Sequence, residues 1–389
     1  MGEFAIPDVP DVPTKVVTGR GTAQRVWEHV AALGGSRPLV VCDRGVHESG
    51  LVESIVGAAA SDLQVCVFAE VEPDPTDTLI ARGGRVAREA QADAIVAIGG
   101  GSGLDAGKAI AAEALDEGWI GRQDAPGQPT VAEEGVLPIV ACPTTAGTGS
   151  EVTPFCVITF TQSERKLVLN NPAFYPRVAV LDPELLPSAP QPVRAAAGMD
   201  ALTHAVESYT SKQATPETQE LARQAIQIIG KYLPRAATDA GDLEAQSAMQ
   251  AAATIAGLAF SKTRLGIVHA MALPLGALFH VPHGTSNAIL LPYGMDFNRP
   301  AVEAQYAGIA AALGVDTSGL SGAEASAAAV ERVRALGREC HLPQRMRDAG
   351  VKAEAIERMA ADAIRSAHIA VNPRSIELSD LIDVYGRAF

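Results

Sequence analysis

The chain has 389 residues, 47% of them hydrophobic and 20% charged, with a formal net charge of −14 at pH 7. That length and composition fit a globular protein of two domains and exclude a disordered or fibrous one. The acidic balance argues against a nucleic-acid partner, which needs a basic footprint.

The first ten residues, Met1-Gly-Glu-Phe-Ala-Ile-Pro-Asp-Val-Pro10, offer neither a basic n-region nor an apolar h-region. No apolar run approaches the ~20 residues that span a bilayer. The five cysteines, Cys42, Cys66, Cys142, Cys156 and Cys340, are scattered and never in C-x-x-C spacing. They read as free core thiols of a reducing compartment. The expectation is a soluble cytoplasmic protein with no membrane partner.

Leu39-Val-Val-Cys42, Val65-Cys-Val-Phe68, Ala94-Ile-Val-Ala-Ile98 and Leu137-Pro-Ile-Val-Ala141 read as buried strands. Helical stretches near 49–60, 76–91 and 102–115 separate them. Alternating apolar strands and helices predict a parallel sheet covered on both faces. Thr153-Pro-Phe-Cys-Val-Ile-Thr-Phe160 and Lys166-Leu-Val-Leu169 predict a hairpin, and Val178-Ala-Val-Leu181 one more strand. Pro183, Pro187, Pro190 and Pro192 then mark a boundary. Beyond it only helical periodicity appears, near 194–210, 217–233, 242–260, 301–313, 322–340 and 353–367. The expected architecture is an α/β N-terminal domain, 1–188, with a parallel Rossmann-like sheet, then an all-α domain, 189–389.

Two glycine-rich turns follow strands. In Ala97-Ile-Gly-Gly-Gly-Ser-Gly-Leu-Asp-Ala-Gly-Lys-Ala109, Gly99, Gly100, Gly101 and Ser102 open a helix. Glycines let backbone approach a phosphate, and the helix N-terminus offers unpaired N–H groups. The pattern is not G-x-G-x-x-G, and Lys108 lies too far along for a Walker loop. Pro143-Thr-Thr-Ala-Gly-Thr-Gly-Ser-Glu151 brings donors after the next strand. Asp43, ending the first strong strand, can accept ribose hydroxyls and repel a 2′-phosphate, or simply cap a helix.

Gly198-Met-Asp-Ala-Leu-Thr-His-Ala-Val-Glu207 sets Asp200 and His204 four residues apart, hence on one helix face. Apolar neighbours make that helix buried, and a buried aspartate needs a partner. His269 lies in an equally apolar run, and His283 follows in Val281-Pro-His-Gly284. One carboxylate and three imidazoles suit Fe(II) or Zn(II).

In these motifs, together with Leu265-Gly-Ile-Val-His-Ala-Met-Ala272, Asn287-Ala-Ile-Leu-Leu-Pro292 and Asn372-Pro-Arg374, the chain resembles the iron-containing (group III) alcohol dehydrogenases over almost its whole length. The resemblance implies a dehydroquinate-synthase-like fold with an interdomain active site. It implies a metal, Fe(II) or alternatively Zn(II), on Asp200, His204, His269 and His283. It implies NAD(H) against Asp43, Gly99, Gly100, Gly101, Ser102, Asp105, Thr144, Thr145, Thr148, Gly149, Ser150, Val152 and Leu181. The implied reaction moves a hydride between a small primary alcohol or aldehyde and nicotinamide, in a homodimer or larger homo-oligomer. The alternatives are a lyase or cyclase of the dehydroquinate synthase type and a reductase of an aldehyde bearing a carboxylate, phosphonate or sulfonate. The chain departs from the family at Leu273 and Tyr293, where many members carry histidine, and at Ser261-Lys-Thr-Arg264, which replaces an Asn-rich stretch. Leu273 leaves the proton to water, the ribose hydroxyl or a group such as His280. Lys262 and Arg264 are the candidate readers of an acidic substrate.

Overall fold

The computed structural model describes residues 4–125, 135–163 and 165–389. The described residues form eight strands, all before residue 182: β1 (Lys15–Thr18), β2 (Pro38–Asp43), β3 (Cys66–Val71), β4 (Ala94–Gly99), β5 (Ile139–Pro143), β6 (Phe155–Phe160), β7 (Arg165–Asn170) and β8 (Val178–Leu181). Six make one sheet in the order β1-β8-β5-β4-β2-β3, every pair parallel. β6 and β7 form the expected antiparallel hairpin. All six residues of β4 are buried, as a strand covered on both faces requires.

The sequence pattern does not reveal β1. It has four residues, lies at the sheet edge and pairs only with β8, Lys15 opposite Val178. A short half-exposed edge strand has neither a long apolar run nor clean alternation. The helix expected near 49–60 is Leu51–Gly57, and a separate short helix, Arg44–Glu48, precedes it, with Gly50 at φ 78° between the two.

The chain connects β2 to β3 on one side and β4 to β5 on the other, while β2 and β4 are neighbours. The strand order thus reverses between Asp43 and Gly99, the position where open α/β sheets bind ligands. The other three strand-borne cysteines and Cys340 are as unpaired as Cys42, and burial pushes the Cys42, Cys142 and Cys340 thiols up to about 12.

The chain divides into two compact units. One holds the residues up to Thr145 and Gly149–Ala189; the other holds Ala146–Thr148 and Pro190–Phe389. The second unit has no strand among its described residues. Its centre is the helices Gln191–Thr210, Pro216–Thr238 and Leu243–Thr263, packed closely through small residues. A Cβ at Gly198 would stand 2.2 Å from Leu233 Cδ1, so a larger residue at that crossing requires the Leu233 side chain to shift. The helices Ile267–Phe279, His283–Asn298 and Leu378–Ala388 lie outside the stretches that helical periodicity marks. The first is apolar all round and contains Pro274; the second follows Pro282 and contains Pro292. Neither shows the amphipathic period that marks a helix in sequence.

Candidate active site

Asp200 and His204 project from one face of the Gln191–Thr210 helix, and both are buried. His269 lies in the first turn of the Ile267–Phe279 helix, and His283 is the first residue of the next. The Nε2 atoms of His204, His269 and His283 stand 3.8, 3.6 and 3.7 Å from Asp200 Oδ1. Four ligands ~2.1 Å from one cation are about 3.4 Å apart, and the three contacts to Asp200 Oδ1 are close to that spacing, although His204 falls outside the tight group. Asp200, His269 and His283 bring their ligand atoms within 4.8 Å of one another. His204 approaches through Asp200, stacks on His269 at 4.7 Å and on Phe260 at 4.4 Å, and has Nδ1 3.3 Å from the Gly147 carbonyl.

The charge states suit ligation. Burial opposes the ionised form of Asp200, but His204, His283 and His269 outweigh it and hold the carboxyl far below its usual range. Burial lowers His204 to about 4, so its lone pair is free at neutral pH. Burial also opposes the cationic form of His269, yet hydrogen bonding to Asp200 and Glu207 raises it to about 9. A carboxylate and three imidazoles fit iron or zinc, and His269 would have to give up a proton to ligate one.

Three residues quoted in the sequence motifs, but given no role there, support the ligands. Glu207 Oε2 lies 2.6 Å from His269 Nδ1, and Oε1 accepts from Val268 N at 2.7 Å. This fixes the ring with Nε2 toward Asp200. Asn372 Oδ1 accepts from Ile267 N at 3.1 Å. The His269 helix has no capping side chain of its own at Gly266; Glu207 and Asn372 supply the caps. Any Cβ at Gly266 would lie 2.9 Å from both carboxyl and amide oxygens. Asn287 Nδ2 lies 2.6 Å from Asp200 Oδ1. The signal for Glu207 was its spacing: three residues after His204 and seven after Asp200, on the same face. His368, also unremarked in the sequence, sits beside the set with its ring centroid 6.2 Å from that of His269.

His280, the candidate proton group, is exposed and ends its helix at φ 55°. Lys262 is half-buried in the last turn of the Leu243–Thr263 helix. Arg264 is exposed at φ 56°, ψ −170°, a strained conformation for a residue with a Cβ.

In the α/β unit the cofactor candidates gather at the strand ends. A Cβ at Gly99 would stand 3.2 Å from Gly103 Cα and 3.4 Å from Asp43 Oδ2, and one at Gly100 3.2 Å from Thr145 Oγ1. Thr144 N donates to Gly99 O at 2.9 Å, joining the two turns. Ser102 lies in the first turn of the Gly101–Glu113 helix. Asp43 caps the Arg44–Glu48 helix, Oδ1 accepting from Val46 N at 2.8 Å. Asp105 is turned inward: Oδ1 accepts from Ser150 Oγ at 2.7 Å and Oδ2 from Val157 N at 2.9 Å. Gly149 has φ 62° and starts the short Ser150–Val152 turn, where Val152 is fully buried. Leu181 ends β8, buried. Thr148 falls in the second unit with Ala146 and Gly147. Lys108, buried, donates to Ser150 Oγ, Thr153 O and Phe155 O at 2.8, 2.9 and 2.7 Å, so it ties the second turn to the hairpin.

Comparison with known proteins finds two family models. Residues 13–183 match "Iron-containing alcohol dehydrogenase", and 194–389 match "Fe-containing alcohol dehydrogenase family, C-terminal". The chain is 37% identical over 378 residues to an NAD-dependent methanol dehydrogenase of Bacillus methanolicus, covering 97% of this chain and 98% of that one. It superposes on a crystal structure of 1,3-propanediol oxidoreductase with a TM-score of 0.92 and 38% identity, covering 97% and 98%. Sulfoacetaldehyde reductase from Bifidobacterium kashiwanohense, solved with NAD+, gives a TM-score of 0.88 and 30% identity, covering 97% of each chain.

Proposed function

The chain belongs to the iron-containing alcohol dehydrogenase family, and on that premise we propose that Asp200, His204, His269 and His283 hold its iron, and that Asp43, Gly99–Ser102, Asp105, Thr144, Thr145, Thr148, Gly149, Ser150, Val152 and Leu181 form the NAD(H) site. The protein is an NAD-dependent, metal-containing alcohol dehydrogenase, an aldehyde reductase in reverse. The dehydrogenases and reductases it matches favour this over a lyase or cyclase. One observation carries the ligand assignment: three imidazole Nε2 atoms converge within 3.8 Å of one buried carboxylate oxygen.

When bound, the cation supplies Lewis acidity at the alcohol or aldehyde oxygen, and nicotinamide takes or gives the hydride. The chain's own residues do the rest. Asp200 stays ionised and supplies the fixed negative charge of the set. Glu207 holds the His269 Nδ1–H and aims Nε2 inward. The glycines admit the dinucleotide phosphates close to backbone donors. Asp43 uses one oxygen as a cap and turns the other toward Gly99, where it favours ribose hydroxyls over a 2′-phosphate. A homodimer or larger homo-oligomer in the cytoplasm belongs to the same proposal. No helix of the described residues is long and apolar enough to cross a membrane.

The test replaces His269 or His283 by Ala. Turnover and bound metal should both vanish while NAD(H) binding persists. Full metal occupancy at normal rate in both variants sinks the assignment.

A second reading concerns substrate. Arg264 is exposed, strained and forms no ion pair among the described residues, and its charge is felt at His368 beside His269. Such a guanidinium suits an aldehyde bearing a carboxylate or sulfonate, and a sulfoacetaldehyde reductase is among the relatives. Arg264→Ala should lower kcat/KM for acidic aldehydes and spare neutral ones of equal length. Equal effects on both, or none, leave the enzyme a broad short-chain alcohol dehydrogenase.

A further inference from the structure

Asn287 sits one turn after His283 on the same helix and is fully buried. Its Nδ2 lies 2.6 Å from Asp200 Oδ1, 3.1 Å from His269 Nε2 and 3.1 Å from His283 Nε2. The orientation of the amide follows from chemistry: its oxygen cannot sit 2.6 Å from a carboxylate oxygen, so the nitrogen faces the ligands. His269 already spends Nδ1 on Glu207 and Nε2 on Asp200, so the two amide hydrogens meet Asp200 and His283 Nε2. At the other end of the side chain, Oδ1 is buried with no hydrogen-bond partner. The residue leaves an acceptor unsatisfied in order to keep both donors on the ligand set.

A nitrogen lone pair that accepts an amide hydrogen is not available to a cation. The same holds for a carboxylate lone pair. The carboxamide and a metal thus compete for the same atoms. We propose that Asn287 caps the ligand set: it satisfies Asp200 and a histidine until a divalent cation takes them, which keeps the metal-free site ordered and sets how tightly metal is held. Asn287 is a positioning residue in this account, since it touches ligands and not substrate. The inference rests on the proposed ligand assignment.

Asn287→Ala separates this from ordinary packing. Loss of packing lowers the stability of metal-free and loaded protein alike. Loss of the cap falls mainly on the metal-free protein, where buried Asp200 loses one of its donors. The variant should bind Zn(II) about 10-fold more tightly than wild type, measured by chelator competition. The melting temperature of the metal-free form should fall several degrees further than that of the Zn(II)-loaded form. Equal falls in the two forms, with affinity unchanged or weaker, overturn the proposal. Should the variant not fold, a crystal structure of Zn(II)-loaded wild type decides. The expected result is Asn287 Nδ2 beyond hydrogen-bonding distance of both metal-bound Nε2 atoms; Nδ2 still at the 3.1 Å seen here from both, beside bound zinc, overturns it. Wild type that takes up no metal would instead refute the ligand assignment itself.

Discussion

Glu207 offers the sharpest test of how the site is built. Its carboxylate is buried and makes two short contacts, to His269 Nδ1 at 2.6 Å and Val268 N at 2.7 Å, with a third, longer one to His269 N at 3.4 Å. Burial disfavours its charge, but hydrogen bonding to His269 outweighs this and holds its carboxyl below the usual range. His269 is raised by the same contact. The two shifts describe one buried ion pair. Breaking such a pair from one side costs about 3–5 kcal/mol, because the other charge stays buried and unpaired. Glu207→Ala also strips the cap from Val268 N, a further ~1 kcal/mol. Glu207→Gln keeps the volume and one acceptor, so it should cost about 1–3 kcal/mol. It cannot serve both His269 Nδ1 and Val268 N equally, so the imidazole loses its fixed orientation. Outer partners of metal-bound histidine are typically worth about 10–100-fold in metal affinity. The expected order in denaturant unfolding of the metal-free protein is wild type, then Gln, then Ala. Zn(II) affinity by chelator competition should fall at least ~10-fold in Gln. Cobalt substitution adds a spectroscopic readout, with altered d–d bands in Gln. A Gln variant with wild-type zinc affinity and an unchanged cobalt spectrum would refute the orienting role, whatever its stability.

The proposed ligands stand out as candidates in sequence and the residues around them do not, for a physical reason. Asp200 and His204 are linked by helical periodicity, and a buried Asp or His in an apolar run is conspicuous because it must be compensated. Glu207 shares that helix and could have been read from the same spacing. Its partners, Val268 and His269, are 61 and 62 residues away, and no local rule predicts a cap supplied across the fold. Asn372 is 105 residues from the Ile267 N–H that it serves. The sheet was legible where strands are buried on both faces, as in β4, and illegible in β1, whose edge position removes the apolar signal. Asp43 shows a third case. Cap and cofactor contact were alternatives in sequence, yet one oxygen caps Val46 while the other lies toward Gly99, so the two roles are compatible.

Asp43→Gly should narrow the preference for NAD over NADP by at least ~10-fold, about 1.4 kcal/mol, with little loss of stability because glycine is a tolerable N-cap; a wild-type enzyme that already prefers NADP contradicts the assignment. Lys108→Met removes a buried ammonium with three acceptors and leaves Asp105 without its neighbouring charge, so it should destabilise the α/β unit by about 3 kcal/mol or more, and an unchanged unfolding midpoint would show that Lys108 is not a structural tie. The last prediction concerns protons. In the metal-free protein His269 has a pKa of about 9, raised above its ordinary 6.5. Its charged form therefore contributes stability that is fully present below pH 6.5 and is lost as pH rises through 9. Metal must displace that proton, so zinc affinity should rise across the same window, by up to ~10-fold per pH unit. His204, lowered to about 4, and Asp200, already ionised, have no proton to give at neutral pH. Calorimetric titration of Zn(II) at about pH 7.5, in buffers of different protonation enthalpy, should therefore report release of the His269 proton, which falls away above about pH 9.5. Zero release near neutral pH, or release that persists at high pH, would mean that His269 does not carry the proton between its two carboxylates.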